Sequence, residues 1–196
     1  MACSDFSEFG IAQHNPQLLP LFQAGDIYDA IAHYKTHGKR FGLVNLQNVF
    51  EHVIDPEHLL KQIKPILNPK GALRIMVPND YSAFQTALVA RGDTSNTWFN
   101  PPEHLSYFNA ASLHQVLEHY GYRVVSLQAT FPIEMFLANP HANYWKNREL
   151  GKGAHFTRVF CENFLINQDI DAYIAYTEAS AKLSFGRNLI AYAVPV

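Results

Sequence analysis

Two Glu-His pairs are the residues best suited to chemistry: Glu51-His52 and Glu103-His104. A carboxylate beside an imidazole suits general acid–base work, because an unperturbed histidine titrates near ~6.5, close to working pH. Glu51-His52 follows a short polar turn, Gln47-Asn48, and could equally fix that turn by hydrogen bonds. Glu103-His104 follows Pro101-Pro102 at the end of a polar, turn-rich loop, Arg91–Pro102, that also holds Trp98 and Phe99. For His104 the alternative to a chemical role is a loop anchor bonded to backbone. The 10 histidines give no metal spacing. His33/His37 and His114/His119 stand on or near helical patterns without an E-x-x-H context or a third ligand nearby.

These residues hang on a strand–helix–strand unit. Phe41–Leu46 is an apolar run suited to a strand buried on both faces, and a turn just past such a strand is where open α/β sheets bind ligands. Asp55-Pro56 starts a helix, with Asp55 as cap and Pro56 in the first helical position. Leu59, Leu60, Ile63, Ile66 and Leu67 keep helical spacing, Asn68-Pro-Lys-Gly71 stops it, and Ala72–Val77 reads as the next strand. Upstream, Ala2–Asp5 reads as the tail of a strand, Glu8–Gln13 as a short helix ended by Asn15-Pro16, and Leu18–Ala24 as a second strand. Asp26 caps a helix carrying Ile27, Ala30, Ile31 and Tyr34. Downstream, Tyr81–Ala90 reads as a helix. Asn109 starts a clearer one with Leu113, Val116 and Leu117 inward, stopped at Gly121. Tyr122–Ala129 and Arg187–Val194 read as strands. Between those strands lies a long, aromatic, helical stretch, Phe131–Leu183, too long for a simple connection. Its aromatics (Phe131, Phe136, Tyr144, Trp145, Phe156, Phe160 and Phe164) suit the core of a cap better than a stacking platform.

Composition sets the outer limits. With 196 residues and 48% hydrophobic content the chain supports one domain with a real core. A net charge of −2, from 15 basic and 17 acidic residues, gives no field for nucleic acid or anionic membrane. No apolar run approaches the roughly 18 residues of a membrane span. Cys3 and Cys161 lie far apart, and free thiols in a reducing cytoplasm are the expectation.

The ordered set Glu51-His52-Val53-Ile54-Asp55-Pro56, Leu67-Asn68-Pro69-Lys70-Gly71 and Val77-Pro78-Asn79 resembles class I S-adenosylmethionine-dependent methyltransferases of the ubiquinone-methyltransferase-like and sugar-methyltransferase-like kind. The resemblance continues through Pro102-Glu103-His104-Leu105-Ser106-Tyr107-Phe108 to Gly121-Tyr122 and, more loosely, beyond. It implies an α/β fold, a Rossmann-like methyltransferase sheet that ends in an antiparallel strand pair with a helical insertion. The corresponding division is a partial core over 1–130, a cap over 131–183 and a closing strand over 184–196.

The resemblance also implies roles. Asp5 would accept hydrogen bonds from the ribose hydroxyls of S-adenosylmethionine. Gly25 and Asp26 would meet the adenine, with Ile27 flanking the ring, and Gln47 and Asn48 would contact the cofactor past the central strand. Without the family match, Asp5 and Asp26 are simple helix caps. Glu103 and His104 would line the acceptor pocket, with His104 as general base. The expected partner is a small-molecule acceptor, a sugar or a sugar nucleotide among the candidates, and Lys146, Arg148, Lys152 and Arg158 could hold an anionic one.

One family feature is missing. The glycine-rich turn after the first strand has no counterpart, and Gly151-Lys-Gly153, the only G-x-G, sits in the insertion with no strand before it. On this match Asp5 ends the second strand. The chain is then expected to be a fragment with only the ribose–adenine half of the cradle, binding S-adenosylmethionine weakly or not at all. The alternative is a non-catalytic methyltransferase-like module that has lost cofactor affinity. The neighbours of the missing strand must close up, leave unpaired edges or borrow a strand, which makes a homo-oligomer or a poorly soluble monomer the expectation.

Overall fold

A computed structural model describes residues 2–196. The chain forms two compact units, one built from the residues up to Val44 with Asp55–Gly71, the other from Asn45–Ile54 with Ala72–Val196.

In the first unit, β1 (Cys3–Asp5) pairs in parallel with β2 (Phe22–Ala24), Cys3 opposite Phe22 and Asp5 opposite Ala24. Helix α1 (Phe9–His14) ends at Asn15 as the sequence suggests. The strand expected over Leu18–Ala24 is shorter than its apolar content implies, because Pro16–Leu21 winds into a 3-10 helix. Pro16 presets helical φ, and Pro20 has no N–H to give to a strand ladder, so only Phe22–Ala24 remains to pair. Asp26 caps α2 (Ile27–Thr36), its carboxylate accepting from the Tyr28 amide at 2.7 Å, and Ala30, Ile31 and Tyr34 are buried. Asp55 caps α3 (Pro56–Ile63) in the same way, accepting from the His58 amide at 2.8 Å, with Pro56 in the first position. Leu59, Leu60 and Ile63 are wholly buried.

Strands β3 (Phe41–Gln47) and β4 (Leu67–Pro78) lie side by side. A Cβ on Gly71 would come within 2.8 Å of the Phe41 carbonyl oxygen, and the Asn48 amide donates to the Met76 carbonyl at 2.9 Å. Both contacts ascend together along the two strands, as in a parallel pair. β4 starts five residues before the expected Ala72, at Leu67, because the 3-10 turn Lys64–Ile66, entered through Pro65, already ends the helix.

The second unit is built on antiparallel pairing. β6 (Asn188–Pro195) lies between β4 and β5 (Tyr122–Ala129), giving the order β3-β4-β6-β5. Leu73, Ile75 and Val77 oppose Ala193, Ala191 and Leu189, and all six are buried on one face. β5 meets that face through a register shift between Val124 and Ser126. The extra residue, Val125, is exposed, and the shift lets Val124 and Leu127 both oppose buried residues of β6. Reciprocal caps start α4 (Ala83–Ala90), from Ser82 and Gln85, and α5 (Ala110–His119), from Asn109 and Ser112. The helix expected from Tyr81 begins two residues later, since Tyr81 sits at φ 55°, outside the helical well.

Residues 131–183 supply 3-10 turns at Ile133–Ala138 and Arg148–Leu150, then α6 (Gly151–Gln168) and α7 (Ile170–Lys182), which packs on β5. Here one expectation is overturned. Phe156, Phe160 and Phe164, taken as cap core, are 58%, 70% and 53% exposed, and Ala154 is the buried residue of α6. Their four-residue spacing does form one stripe, but none of the described residues covers it. The sheet also resolves into two pieces, β1-β2 and β3-β4-β6-β5, so β3 is an edge strand.

Candidate active site

Four pieces of the second unit converge: the 3-10 turn Phe50–His52, the end of β4 with Asn79-Asp80, the loop Asn100–Phe108, and Gly186-Arg187 before β6. Asn79, fully buried, donates its side-chain amide to the Gly186 carbonyl at 3.0 Å, and its backbone N–H donates to Arg187 O, also at 3.0 Å. The Asp80 amide donates to Phe108 O at 2.9 Å. Gly186 is at φ 140°, and a Cβ there would lie 2.6 Å from both the Ala129 Cβ and the Thr130 carbonyl oxygen.

The loop that carries the second Glu-His pair hangs on the first. Leu105 and Ser106 donate their amides to the Glu51 carbonyl at 2.9 and 3.1 Å. His52 Nδ1 lies 2.6 Å from the Glu103 carbonyl. A carbonyl only accepts, so His52 Nδ1 donates, and in the neutral ring Nε2 is left with its lone pair. That Nε2 is 3.8 Å from Glu51 Oε1. Glu51 itself is 1% exposed, and its Oε2 is buried without a hydrogen-bond partner among the described residues. Burial pushes the Glu51 carboxyl up, against its own backbone hydrogen bond and the nearby His52.

His104 completes the group. Its ring meets that of His52 edge-on, centroids 4.9 Å apart, and Nδ1 is buried without a partner. Burial, then His52 and Arg187, hold its pKa below the usual imidazole value, while Glu103 opposes them. Donor atoms of Glu51, His52 and His104 all lie within 4.8 Å of one another. Glu103 is exposed and accepts from the Asn100 side chain at 2.6 Å, so it braces the loop. The Pro101-Pro102 peptide is cis.

Sequence reasoning missed Asp80 and Glu134. Asp80 is 2% exposed, and both its carboxylate oxygens are buried without a hydrogen-bond partner among the described residues. Burial drives its pKa up to about 6; Arg187 lowers it, while Glu51 and Glu134 add to the rise. Glu134, also buried, accepts from Arg187 at 3.2 Å and from Gln85 at 3.3 Å. Beside them opens a cavity of about 300 Å³ walled by Trp98, Tyr144 and Trp145, with Glu134 and Arg187 also in its lining. The only sequence signal for Asp80 was its place just past Pro78-Asn79, where β4 ends.

A buried carboxylate that titrates near 6 destabilises the folded state at neutral pH. In the unfolded chain Asp80 loses its proton near ~3.9, well below its folded value. Its neutral form therefore supports folding below about pH 4, and that support is lost as pH rises through about 6. Asp80→Asn should raise unfolding free energy by roughly 2–3 kcal/mol at pH 8, and by little at pH 4. Urea midpoints at the two pH values check this. A gain equal at both would assign the effect to packing rather than to charge.

The cofactor candidates fall into two groups. Asp5, Gly25, Asp26 and Ile27 belong to the first unit, where the Gly25 amide donates to the Asp5 carbonyl at 3.0 Å and sets the ends of β1 and β2 together. Gly25 has φ 130°, a conformation glycine takes without strain. Asp5 is exposed, and the Asp26 carboxylate is engaged as the α2 cap. Gln47 and Asn48 are exposed in the second unit, with Asn48 at φ 53°, a left-handed position asparagine tolerates.

A family model described as a methyltransferase domain matches residues 9–127. Among solved structures, a SAM-dependent methyltransferase from Archaeoglobus fulgidus is similar at 18% identity and TM-score 0.53, over 97% of this chain and 73% of that one. A chain of the complex between the Haloferax volcanii Trm112 methyltransferase activator and the putative methyltransferase is similar at 16% identity and TM-score 0.53, over 98% and 70%. A SAM-dependent methyltransferase from Geobacter sulfurreducens, in complex with S-adenosyl-L-homocysteine, aligns at 13% identity and TM-score 0.49, over 98% and 74%. No curated protein matches the chain. The matched segment exceeds half of the 196 residues, and the chain therefore belongs to the methyltransferase-domain family, with the Rossmann-like fold of S-adenosylmethionine-dependent methyltransferases.

Proposed function

We propose that the protein transfers the methyl group of S-adenosylmethionine to a small-molecule acceptor, a sugar or sugar-linked metabolite, activated beside His104. The observation that carries this reading is the convergence of Glu51, His52 and His104 past the end of β4, with polar atoms unpartnered among the described residues; Arg187, whose charge acts on His104, lines an aromatic-walled cavity. Open α/β folds place their ligands outside the carboxyl ends of their strands. Trp98, Tyr144 and Trp145 offer flat faces to a ring, and a cavity of about 300 Å³ suits an acceptor of one or two rings.

S-adenosylmethionine supplies a methyl group on a sulfonium, which an acceptor nucleophile attacks in line. The chain's own contribution is position and proton removal. His52 and Glu103 hold the loop, and His104 presents a neutral imidazole that accepts the proton of the acceptor hydroxyl. For the cofactor, Asp5 is assigned to the ribose hydroxyls, Gly25, Asp26 and Ile27 to the adenine, and Gln47 and Asn48 to the turn past β3.

Incubation of a version that also carries the family's first strand and glycine-rich turn with methyl-labelled S-adenosylmethionine and a panel of sugar acceptors should label at least one acceptor. If that version folds, labels none and binds no S-adenosylhomocysteine, the reading is overturned in favour of a non-catalytic module. Asp5 makes the cleanest cofactor test because its exposed carboxylate caps no helix. In the version that carries the glycine-rich turn, Asp5→Ala should weaken S-adenosylhomocysteine binding about tenfold or more, as expected for lost charged hydrogen bonds, with melting temperature unchanged. Unchanged affinity removes Asp5 from the site.

A further inference from the structure

We infer that the exposed face of α6 is a self-association surface, on which a second copy of this chain docks its own α6 in the antiparallel sense. The inference does not depend on the reading of the active site. Phe156, Phe160 and Phe164 are 58%, 70% and 53% exposed, and the Phe160 and Phe164 rings are stacked into one ridge, centroids 6.4 Å apart. Their exposed area is that of nearly two whole phenylalanine side chains, roughly 360 Å² at about 200 Å² per ring. Contiguous apolar patches of that size mark interaction sites.

The composition around the ridge is that of an interface rather than of a solvated helix face. The far side of α6 is already used: Arg158 pairs with Glu162, Tyr173 of α7 donates to Glu162 at 3.3 Å, and Ala154 is buried. At about 3.6 residues per turn, the half of α6 centred on Phe160 carries Gly153, Thr157, Asn163 and Asn167 beside the rings, with Lys152 as its single charged residue. A face turned to water would carry charges of both signs, whereas interface centres are depleted of them.

Symmetry and charge select a second copy as the occupant. Phe156 and Phe164 are equally spaced on either side of Phe160. A two-fold axis at Phe160 therefore sets Phe156 against Phe164 of the second copy, Thr157 against its Asn163, and Lys152 against its Gln168, the self-complementary match that a two-fold dimer requires. Lys152 lies in the first turn of α6, where the helix dipole opposes a cation; that turn has no acidic residue, and the last turn has no basic one. Antiparallel docking corrects both ends. It brings Lys152 beside the C-terminus of the other α6 and beside Asp169, whose exposed carboxylate caps α7 with one oxygen. The rings alone supply more than half of the roughly 600 Å² per partner found in the smallest specific interfaces, so the dimer is expected to be weak and in exchange with monomer.

Sedimentation velocity on the protein at rising micromolar concentration should show monomer passing to dimer. Phe160→Glu sets two carboxylates on the axis and should weaken association about tenfold or more. Phe160 is 70% exposed, so the variant's melting temperature, measured in dilute solution, should match the parent's. Lys152→Glu should weaken association several-fold at low salt, and Lys152→Glu/Gln168→Lys should restore it, since the two positions meet only in the antiparallel register. A dimer indifferent to Phe160→Glu is joined elsewhere, at the edge strand β3 for example, and overturns the inference. So does a double variant that restores nothing. A protein that stays monomeric overturns it too, and if that monomer binds phosphatidylcholine vesicles and loses them on Phe160→Glu, the face is a lipid surface instead.

Discussion

In an active version that carries the glycine-rich turn, His104→Ala should lower the methyl-transfer rate constant roughly 10²–10⁴-fold, the range expected for a lost general base, while affinity for S-adenosylhomocysteine stays nearly constant. The structure argues against the competing forecast, in which His104 is an anchor whose loss loosens the loop. The loop is held by the amides of Leu105 and Ser106 on the Glu51 carbonyl, by His52 on the Glu103 carbonyl, and by the His104 amide on Asn100 O at 3.0 Å. All but the His52 contact are backbone bonds, and none uses the His104 side chain. Its Nδ1 has no hydrogen-bond partner among the described residues, so truncation removes ring contacts with His52 and Tyr107 and no hydrogen bond from Nδ1. The anchor is His52. His104→Ala should therefore melt within a few degrees of the parent, whereas His52→Ala should raise acceptor KM. Single-turnover kinetics at saturating acceptor separate the two effects. A rate constant that survives His104→Ala removes His104 from the chemistry.

Gly186→Ala should cost roughly 3–5 kcal/mol of stability, combining backbone strain at a left-handed φ with overpacking against a fixed neighbour. At φ 140° an added methyl lies 2.6 Å from the Ala129 side chain and from the Thr130 carbonyl, neither of which is the movable tip of a long chain. The same residue offers its carbonyl to the buried Asn79 amide, and Arg187 follows it directly. The substitution thus disturbs the joint that sets Asn79, Asp80 and Arg187. Urea denaturation should show the lost stability as a lower midpoint at unchanged slope. A midpoint near the parent's would mean that the Ala129–Thr130 corner gives way easily.

The parts of the fold that local rules control were legible. Asp26, Asp55 and Asn109 cap the helices their positions suggest, and Tyr122–Ala129 is a strand over its full expected span. Errors arose where backbone chemistry competed with hydrophobicity. Leu18, Leu19 and Leu21 read as strand, but Pro16 and Pro20 wind them into a 3-10 helix. The α6 phenylalanines have regular spacing, and periodicity alone cannot say whether a face meets a core or solvent. The site divides in the same way. Both Glu-His pairs were visible as motifs, yet their meeting is a tertiary fact, set by the Glu51 carbonyl that captures the loop from Leu105. Asp80 was invisible as a site residue because its sequence neighbours do not reveal that it is buried and unpaired.

The place of β6 has a consequence for how the chain is made. β4 is complete at Pro78, but the strand between it and β5 begins only at Asn188, about 110 residues later. Synthesis proceeds from the N-terminus at roughly 5–20 residues per second, so both flanking strands wait on the order of ten seconds for their shared partner. Throughout that interval the buried faces of Leu73, Ile75 and Val77 lack the strand that closes the sheet, while α4, α5 and α6 can already form by local contacts. A ribosome-bound chain ending before Asn188 should therefore be the species most readily captured by chaperones, and extension through Pro195 should release it.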